Sequence, residues 1–262
     1  MTEPVDQGRV RLDRDGAVAR ITFDRPKAHN AFTWAMYEEL DAILAALSQD
    51  SELRVVTLRG AGGKAFVAGS DISQFREFSG GDDGIAYEAK MNRYFQRILA
   101  VPVPTVAIVD GWAVGGGLNI AACCDIRIAS TRARFGSPIA RTIGNCVSMQ
   151  TYARVVGGFG EARAKRMLLL AEFIAAEEAM TAGFLARLVE PEQIDEAAQE
   201  VVERLLENAP ITLRVSKAAI GRVLARDIDP ADDLIGLTYG SEDFRRGVEA
   251  FVNKTKPEWQ GR

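Results

Sequence analysis

The chain has 262 residues, of which 47% are apolar, and its formal net charge is -4. This length allows one large domain, or a core with a smaller appendage, and the apolar fraction is enough for a sizeable buried core. Acidic and basic residues nearly balance, so no overall field favours nucleic acid or an anionic membrane surface. We therefore expect a protein that binds neither, and any anionic ligand would need a local cluster of charges.

The first residues, MTEPVDQGRV, contain no basic segment followed by an apolar run, and no later stretch reaches about 18 uninterrupted apolar residues. Both observations predict a cytoplasmic protein without a membrane span. The cysteines, Cys123, Cys124 and Cys146, lack the paired spacing of a zinc site, and a single histidine gives little to complete one. Reduced thiols and no metal are expected.

Strand and helix patterns alternate along most of the chain. RVRLDRDGAVARITF alternates around Asp15-Gly16, which predicts a hairpin. A helix is predicted to begin near Thr33, and LRVVTLRG has the β-branched composition of a buried strand. A helical pattern from Tyr87 to Leu99 precedes a further strand in VPVPTVAIVDG. The alternation predicts an α/β layered fold.

The pattern changes near residue 194, after which apolar residues keep helical spacing to the end of the chain. Such a helical tail must pack on the core or on another subunit. We therefore divide the chain into a core, residues 1–195, and a C-terminal helical subdomain, residues 196–262.

A glycine run, Gly115 to Gly117, lies between a predicted strand and a short buried helix that is followed by a strand from Asp125 to Ala129. The first turn of a helix has unpaired N-H donors and the positive end of the helix dipole, which suits a developing oxyanion. Tight packing is the alternative interpretation. A phosphate cradle is disfavoured, because GGGLN lacks the Lys-Ser/Thr ending of a P-loop and the spacing of a dinucleotide fingerprint.

Several segments, in order, resemble the crotonase (enoyl-CoA hydratase/isomerase) superfamily. They are ITFDRPKAHNAF, KAFVAGSDI, DGWAVGGGLNIAACCDIRIAS, ARFGSP, AEFIAAEEAMTAGFLARLVEP and the tail SEDFRRGVEAFVNKTKPEW. The resemblance implies a crotonase-type spiral of ββα units with a C-terminal helical part used in trimerisation. It also implies a homotrimer or a dimer of trimers that binds a bent acyl-CoA between subunits. Coenzyme A would be part of the substrate, and no other cofactor is implied.

By the same resemblance, the backbone amides of Ser70 and Gly116 would polarise a thioester carbonyl. Both would act through the backbone, so any residue except proline could stand at position 70. A serine nucleophile is the alternative for Ser70, with His29 as its only histidine candidate, although His29 is better interpreted as a turn residue near the adenine. The residues that would contact CoA are Lys27 and Ala28 at its border, Ala68, Asp71 and Ile72 along adenine and pantetheine, and Lys254 or Lys256 at a phosphate, unless these two are solvated tail charges.

Two glutamates associated with hydration in this family are replaced here, the first by Asn119 and the second by Ile139 or, with a shorter loop, by Ala140 or Arg141. None of these side chains supplies a base at neutral pH. Cys146 could provide a thiolate or be a buried structural thiol. Arg141 could meet a carboxylate on the acyl group or lie at the surface.

The expected function is that of an enoyl-CoA hydratase/isomerase-family enzyme, a lyase or isomerase, that stabilises a thioester enolate. Hydration itself is doubtful, because Asn119 and Ile139 occupy the glutamate positions. The alternatives are decarboxylation, thioester hydrolysis or isomerisation with Cys146, Arg141 or a substrate group. A non-catalytic acyl-CoA-binding homologue remains the third hypothesis. Asp125 is expected to bond backbone amides, and nothing in the sequence directs Tyr239 towards the acyl chain.

Overall fold

The structure, a computed structural model, describes residues 6–224 and 232–258. Within these residues ten β-strands form two sheets. In chain order the strands are β1 (Arg9–Asp15), β2 (Val18–Asp24), β3 (Val55–Gly60), β4 (Ala65–Val67), β5 (Thr105–Val109), β6 (Trp112–Val114), β7 (Ile126–Ser130), β8 (Arg134–Gly136), β9 (Ile174–Ala175) and β10 (Arg187–Val189).

The same residues form ten α-helices, which surround the sheets. In chain order the helices are α1 (Trp34–Leu47), α2 (Gly81–Leu99), α3 (Gly116–Cys123), α4 (Ile139–Thr142), α5 (Met149–Leu169), α6 (Ala176–Thr181), α7 (Ile194–Glu207), α8 (Pro210–Leu224), α9 (Asp232–Tyr239) and α10 (Glu242–Val252).

The larger sheet has the strand order β1-β2-β3-β5-β7-β10. Strands β1 and β2 form the predicted antiparallel hairpin, in which Asp15 pairs with Val18 and Gly16 adopts a φ of +53° in the turn. The other strand pairs are parallel. Asp125 lies just before β7, where its carboxylate accepts hydrogen bonds from the Thr105 amide and hydroxyl at 2.7 and 2.8 Å, as expected.

The smaller sheet has the order β4-β6-β8-β9 and positions the candidate site. Strands β4 and β6 run parallel with Val67 opposite Ala113, so their carboxyl ends lie side by side. The loop after β4 carries Ser70, and β6 leads through Gly115 into α3. Two segments 46 positions apart in the chain, residues 69–71 and 115–117, are therefore brought together at one sheet edge.

The predicted helix after Thr33 is α1, and the Thr33 hydroxyl caps it by accepting a hydrogen bond from the Met36 amide at 3.3 Å. The helix that was expected from Tyr87 is longer, because α2 already begins at Gly81. Ser79 and Gly80 donate backbone hydrogen bonds to the Asp83 carboxylate, which stabilises this earlier helix start.

The C-terminal helices make different contacts with the core. The apolar stripe of α7 packs against one face of the larger sheet, where it contacts Val18, Val55 and Val106. Helix α9 packs on α2 and α10 packs on α9 and α4, and Tyr239 and Phe244 are buried in these contacts. Helix α8 has no buried residue. In the described ranges, no helix combines the length and the apolar character that crossing a membrane requires.

Candidate active site

A pocket of about 250 Å³ opens at the carboxyl ends of β4 and β6. Helices α2 and α3 provide its walls, together with the segment from Ser137 to Val147, and Phe251 of α10 lies at its edge. The lining is largely apolar with a few polar groups, as is usual for small-molecule sites. Its lining includes Ser70, Tyr87, Glu88, Gly116, Asn119 and Ile139.

The backbone amides of Ser70 and Gly116 lie close to each other in this pocket. Phe32 donates to the Gly69 carbonyl and accepts from the Asp71 amide, both at 2.8 Å, so the Ser70 N-H between them is left without a strand partner. Gly116 is the first residue of α3, where the N-H groups have no intrahelical acceptor. A Cβ on Gly116 would lie 3.8 Å from the Ser70 nitrogen. Among the described residues, neither amide has a hydrogen-bond acceptor.

The glycine run is needed for packing as well as for exposing amides. A Cβ at Gly116 would lie 2.7 Å from the Tyr37 hydroxyl, and a Cβ at Gly117 only 2.0 Å from the Val67 carbonyl oxygen. Gly115 has a φ of +52° and donates to the Gly136 carbonyl at 2.9 Å. The two interpretations of this run, tight packing and free amides, therefore describe the same turn.

The Ser70 hydroxyl lies between two tyrosines. Its Oγ is 2.9 Å from the Tyr37 hydroxyl and 3.1 Å from that of Tyr87. Burial raises the pKa of both phenols well above the ordinary value, so neither is a base at neutral pH. His29 is exposed in the turn after residues 26–28. The contacts of Ser70 thus include no group that could activate it as a nucleophile.

Asn119 and Ile139 both line the pocket, so the two positions expected to face it do so. Asn119 is buried, and its Oδ1 has no hydrogen-bond partner among the described residues. Ile139 begins α4 directly after Pro138. Neither side chain can exchange a proton at neutral pH.

A carboxyl group that the sequence interpretation missed is present in the same pocket. Glu88 of α2 is only 4% exposed, yet its side chain is part of the lining. Its Oε2 accepts a hydrogen bond from the Ser148 amide at 2.7 Å, and its Oε1 accepts one from the Tyr239 hydroxyl at 2.9 Å. Burial raises the pKa of this carboxyl to about 7, although the two hydrogen bonds oppose the shift.

A signal for Glu88 was present in the sequence. The buried stripe of α2 consists of Gly84, Tyr87, Glu88, Met91, Phe95 and Ile98. A lone glutamate at helical spacing within an apolar stripe is unusual, because burying a carboxylate without a partner is costly. Helical periodicity alone would therefore have drawn attention to it.

The structure favours the structural interpretation of Cys146 over the thiolate interpretation. This residue does not line the pocket, and burial raises the pKa of its thiol to about 11, so the thiolate is disfavoured at neutral pH. Arg141 is exposed on α4 and does not line the pocket, which agrees with the alternative that it lies at the surface. Helix α4 points Ile139 inward, and Arg141 two residues later faces solvent.

The residues expected to contact CoA fall into two groups. Ala68 and Ile72 line the pocket beside Ser70, and Ala28 is half-buried close to this loop, since the Ala68 amide donates to the His29 carbonyl at 3.1 Å. Lys27 is exposed, as are Lys254 and Lys256 after α10.

Asp71 has a structural partner. Its carboxylate pairs with the buried Arg25 guanidinium at 2.8 Å and accepts a hydrogen bond from the Ser73 amide at 3.0 Å. Burial alone would raise the pKa of this carboxyl, but the hydrogen bonds from Ser73 and Arg25 outweigh burial and hold the pKa below its usual value. Asp71 thus fixes the loop that presents Ser70.

Comparison with known proteins agrees with this geometry. The sequence profile of the enoyl-CoA hydratase/isomerase family matches residues 13–262. A short-chain-enoyl-CoA hydratase of Clostridium acetobutylicum is 37% identical over 258 residues, which cover 95% of this chain and 96% of the relative. An (E)-benzylidenesuccinyl-CoA hydratase of Thauera aromatica is 31% identical over 261 residues, covering 96% and 99%.

Solved structures show the same architecture. A methylmalonyl-CoA decarboxylase in complex with 2-nitronate-propionyl-CoA superimposes with a TM-score of 0.88 at 25% identity, covering 97% of this chain and 98% of the other. An enoyl-CoA hydratase from Mycobacterium avium subsp. paratuberculosis superimposes with a TM-score of 0.83 at 27% identity, covering 96% and 98%.

The parallel sheets and the pocket at their edge, taken with these neighbours, define a protein of the crotonase fold. The chain belongs to the enoyl-CoA hydratase/isomerase family. The α/β fold class and the superfamily predicted from the sequence are confirmed.

Proposed function

We propose that the protein is an acyl-CoA enzyme that binds a thioester carbonyl between the amides of Ser70 and Gly116 and stabilises the enolate formed from it. The observation that carries this proposal is the adjacency of two unpaired backbone N-H groups in one pocket. Donors that are fixed where negative charge develops stabilise a transition state strongly, because they need no reorganisation. The N-terminus of α3 adds a favourable dipole at Gly116.

The relatives support an acyl-CoA thioester as the substrate class, since several of them are hydratases of CoA thioesters. In this chain, Ala68 and Ile72 would contact the CoA arm near the thioester. Lys27 and Ala28 would border the rest of CoA from the neighbouring turn.

Several relatives are hydratases, which supports hydration. The residues at the two positions expected to carry catalytic glutamates do not support it. Asn119 and Ile139 line the pocket without offering an acid or a base. A positioned acid or base typically contributes about 10²–10⁴-fold to a rate. We therefore expect the enzyme to act at the α-carbon of the acyl group and to hydrate crotonyl-CoA poorly.

Decarboxylation is a second candidate. Losing CO₂ from a carboxyacyl-CoA generates the enolate without any base, which suits a pocket whose glutamate positions are Asn119 and Ile139. The similarity to methylmalonyl-CoA decarboxylase, with a TM-score of 0.88, favours it. Because Arg141 is exposed, the buried Asn119, whose side-chain amide can donate a hydrogen bond, is the better candidate to contact the carboxyl group.

The C-terminal part is proposed to form subunit contacts in a homotrimer or a dimer of trimers. Helix α8 buries none of its residues, and Ile211 and Val223 are 74% and 81% exposed. Apolar surface of this kind is commonly covered in an oligomer. Light scattering on the purified protein would test this, with Val223→Asp expected to reduce the assembly.

Mass spectrometry against a panel of acyl-CoA thioesters tests the proposed function. The panel includes crotonyl-CoA, 3-butenoyl-CoA, butyryl-CoA and methylmalonyl-CoA, so that hydration, isomerisation, hydrolysis and CO₂ loss give different mass changes. Turnover of a member other than by hydration is the expected result. Rapid hydration of crotonyl-CoA would contradict our interpretation of Asn119 and Ile139, and binding without any turnover would indicate a non-catalytic homologue.

A further inference from the structure

We propose that the Glu88 carboxylate is the group that removes and returns a proton at the carbon next to the thioester. This inference rests on the proposed function. It assigns acid-base chemistry to α2, on a different pocket wall from Asn119 of α3 and Ile139 of α4.

The geometry places Glu88 with the two amides. Glu88, Ser70 and Gly116 all line one pocket of about 250 Å³. Of the described lining residues, only Tyr87 and Glu88 carry an ionisable side chain, and burial raises the pKa of Tyr87 well above its ordinary value. Proton transfer near neutral pH within this pocket therefore depends on Glu88.

The electrostatic surroundings leave Glu88 able to change its charge. No arginine, lysine or histidine of the described chain forms an ion pair with it. The ionisable groups whose pKa values respond to the Glu88 charge are phenols and a thiol, all with pKa values raised mainly by burial: Tyr37, Tyr87, Tyr152, Tyr239 and Cys146. Its own pKa of about 7 is therefore set by burial against two hydrogen bonds.

A pKa near the working pH suits a general acid-base group, because both protonation states are populated. The carboxyl is also held in place, since one oxygen accepts from the Ser148 amide and the other from the Tyr239 hydroxyl. Tyr239 is a positioning residue here, because its hydroxyl acts through Glu88.

The proposed step balances without any added reactant. The bond between the α-carbon and its hydrogen breaks, and the proton passes to a Glu88 oxygen. The electron pair becomes the carbon-carbon double bond of the enolate, and the carbonyl oxygen takes the negative charge between the Ser70 and Gly116 amides. The neutral Glu88 carboxyl then returns a proton to the α-carbon or, in a β,γ-unsaturated acyl group, to the γ-carbon, which moves the double bond into conjugation with the thioester.

Proton exchange in D₂O tests this step without knowledge of the natural acyl group. Butyryl-CoA is incubated with the enzyme, and deuterium at the carbon next to the thioester is followed by mass spectrometry. We expect exchange with the wild type and at least about a 100-fold lower rate with Glu88→Gln. The glutamine side chain can still accept from the Ser148 amide, and the Tyr239 hydroxyl can accept from its amide group, so the fold should be kept.

Three further variants complete the design. Glu88→Asp should retain measurable exchange, because a carboxylate is still present. Glu207→Gln, an exposed substitution at the end of α7, is the matched control and should match the wild type. Tyr239→Phe removes a hydrogen bond that favours the charged carboxylate, so the midpoint of the exchange rate against pH should move upward from about 7.

Binding of butyryl-CoA is measured in parallel by calorimetry, which separates the two levels of the proposal. If neither butyryl-CoA nor any other thioester of the panel binds, the proposed function is wrong. If butyryl-CoA binds and exchanges at the wild-type rate in Glu88→Gln, the function stands and the role of Glu88 is wrong. An unshifted pH midpoint in Tyr239→Phe would also overturn the role given to this pair.

Discussion

The Tyr239 hydroxyl donates a 2.9 Å hydrogen bond to Glu88 Oε1 and so connects residues 151 positions apart in the chain. Through this bond helix α9 contacts the one carboxyl group among the described residues that line the pocket. The Tyr239 ring also packs against Tyr87 and Phe244, with centroid distances of 6.3 and 4.8 Å. The C-terminal helices therefore complete the surroundings of Glu88.

The stability of the protein should depend on pH through Glu88. In the unfolded chain this carboxyl loses its proton near the ordinary value of 4.5, whereas in the folded protein it keeps the proton up to about 7. Between these values the folded state binds more protons, so the free energy of unfolding falls as pH rises. The difference between the two pKa values corresponds to about 3 kcal/mol.

Glu88→Gln removes this contribution, and urea unfolding at pH 5 and pH 8 measures it. Relative to the variant, the wild type should lose up to about 3 kcal/mol of stability between the two pH values. If the free energy of unfolding depended on pH in the same way in the wild type and the variant, the pKa of the Glu88 carboxyl would not be raised in the folded protein.

Close packing between α2 and α9 depends on a glycine. A Cβ at Gly84 would lie 2.1 Å from Cγ of Tyr239. Gly84→Ala should therefore displace Tyr239 and destabilise the protein by about 1–3 kcal/mol, as overpacking of a core does. Thermal unfolding measures the loss, with Gly221→Ala as a control, because a Cβ there meets no atom within 4 Å. Equal effects of the two substitutions would contradict this packing.

Substitution should lower kcat/KM strongly at position 116 and only weakly at position 70. Gly116→Ala adds a Cβ 2.7 Å from the Tyr37 hydroxyl, so the turn must shift and kcat/KM should fall by about 10²–10³. Ser70→Ala keeps the backbone N-H and should lower kcat/KM by no more than about tenfold. Gly157→Ala, where a Cβ meets nothing within 4 Å, is the matched control for added volume. A Ser70→Ala variant without activity would return Ser70 to consideration as a nucleophile.

Cys146 should be dispensable for catalysis. Its thiol has a pKa of about 11 because of burial, and it does not line the pocket. Cys146→Ser should therefore leave kcat/KM close to that of the wild type, and iodoacetamide should modify Cys146 slowly at pH 7, where a thiolate is rare. Rapid alkylation at this pH accompanied by loss of turnover would revive the thiolate hypothesis.

Much of the fold could be predicted from local patterns. The Asp15-Gly16 turn, the Thr33 helix start and the apolar stripe of α7 each depend on residues close together in sequence, and each is present. The start of α2 was placed too late, because Gly81 is a poor helix former and the stabilising contact comes from the Asp83 side chain.

The site could be predicted only in part. Motifs place Ser70, Gly116, Asn119 and Ile139, and all four line the pocket. The environment of Glu88 could not be predicted, because it depends on Tyr239 and Ser148, which approach only through tertiary packing. Cys146 and Arg141 do not line the pocket, and motifs could not show this, since neighbouring positions of one loop face in different directions.

The central claim, that the Ser70 and Gly116 amides polarise a thioester carbonyl, is tested most directly by isotope-edited infrared difference spectroscopy. Butyryl-CoA with a ¹³C label at the thioester carbon is bound to the wild type and to Gly116→Ala. Hydrogen bonds to the carbonyl oxygen weaken the C=O bond, so the stretching band should move to lower frequency in the wild type and move less in the variant. A bound thioester whose carbonyl band stays at its solution frequency in the wild type would contradict the account.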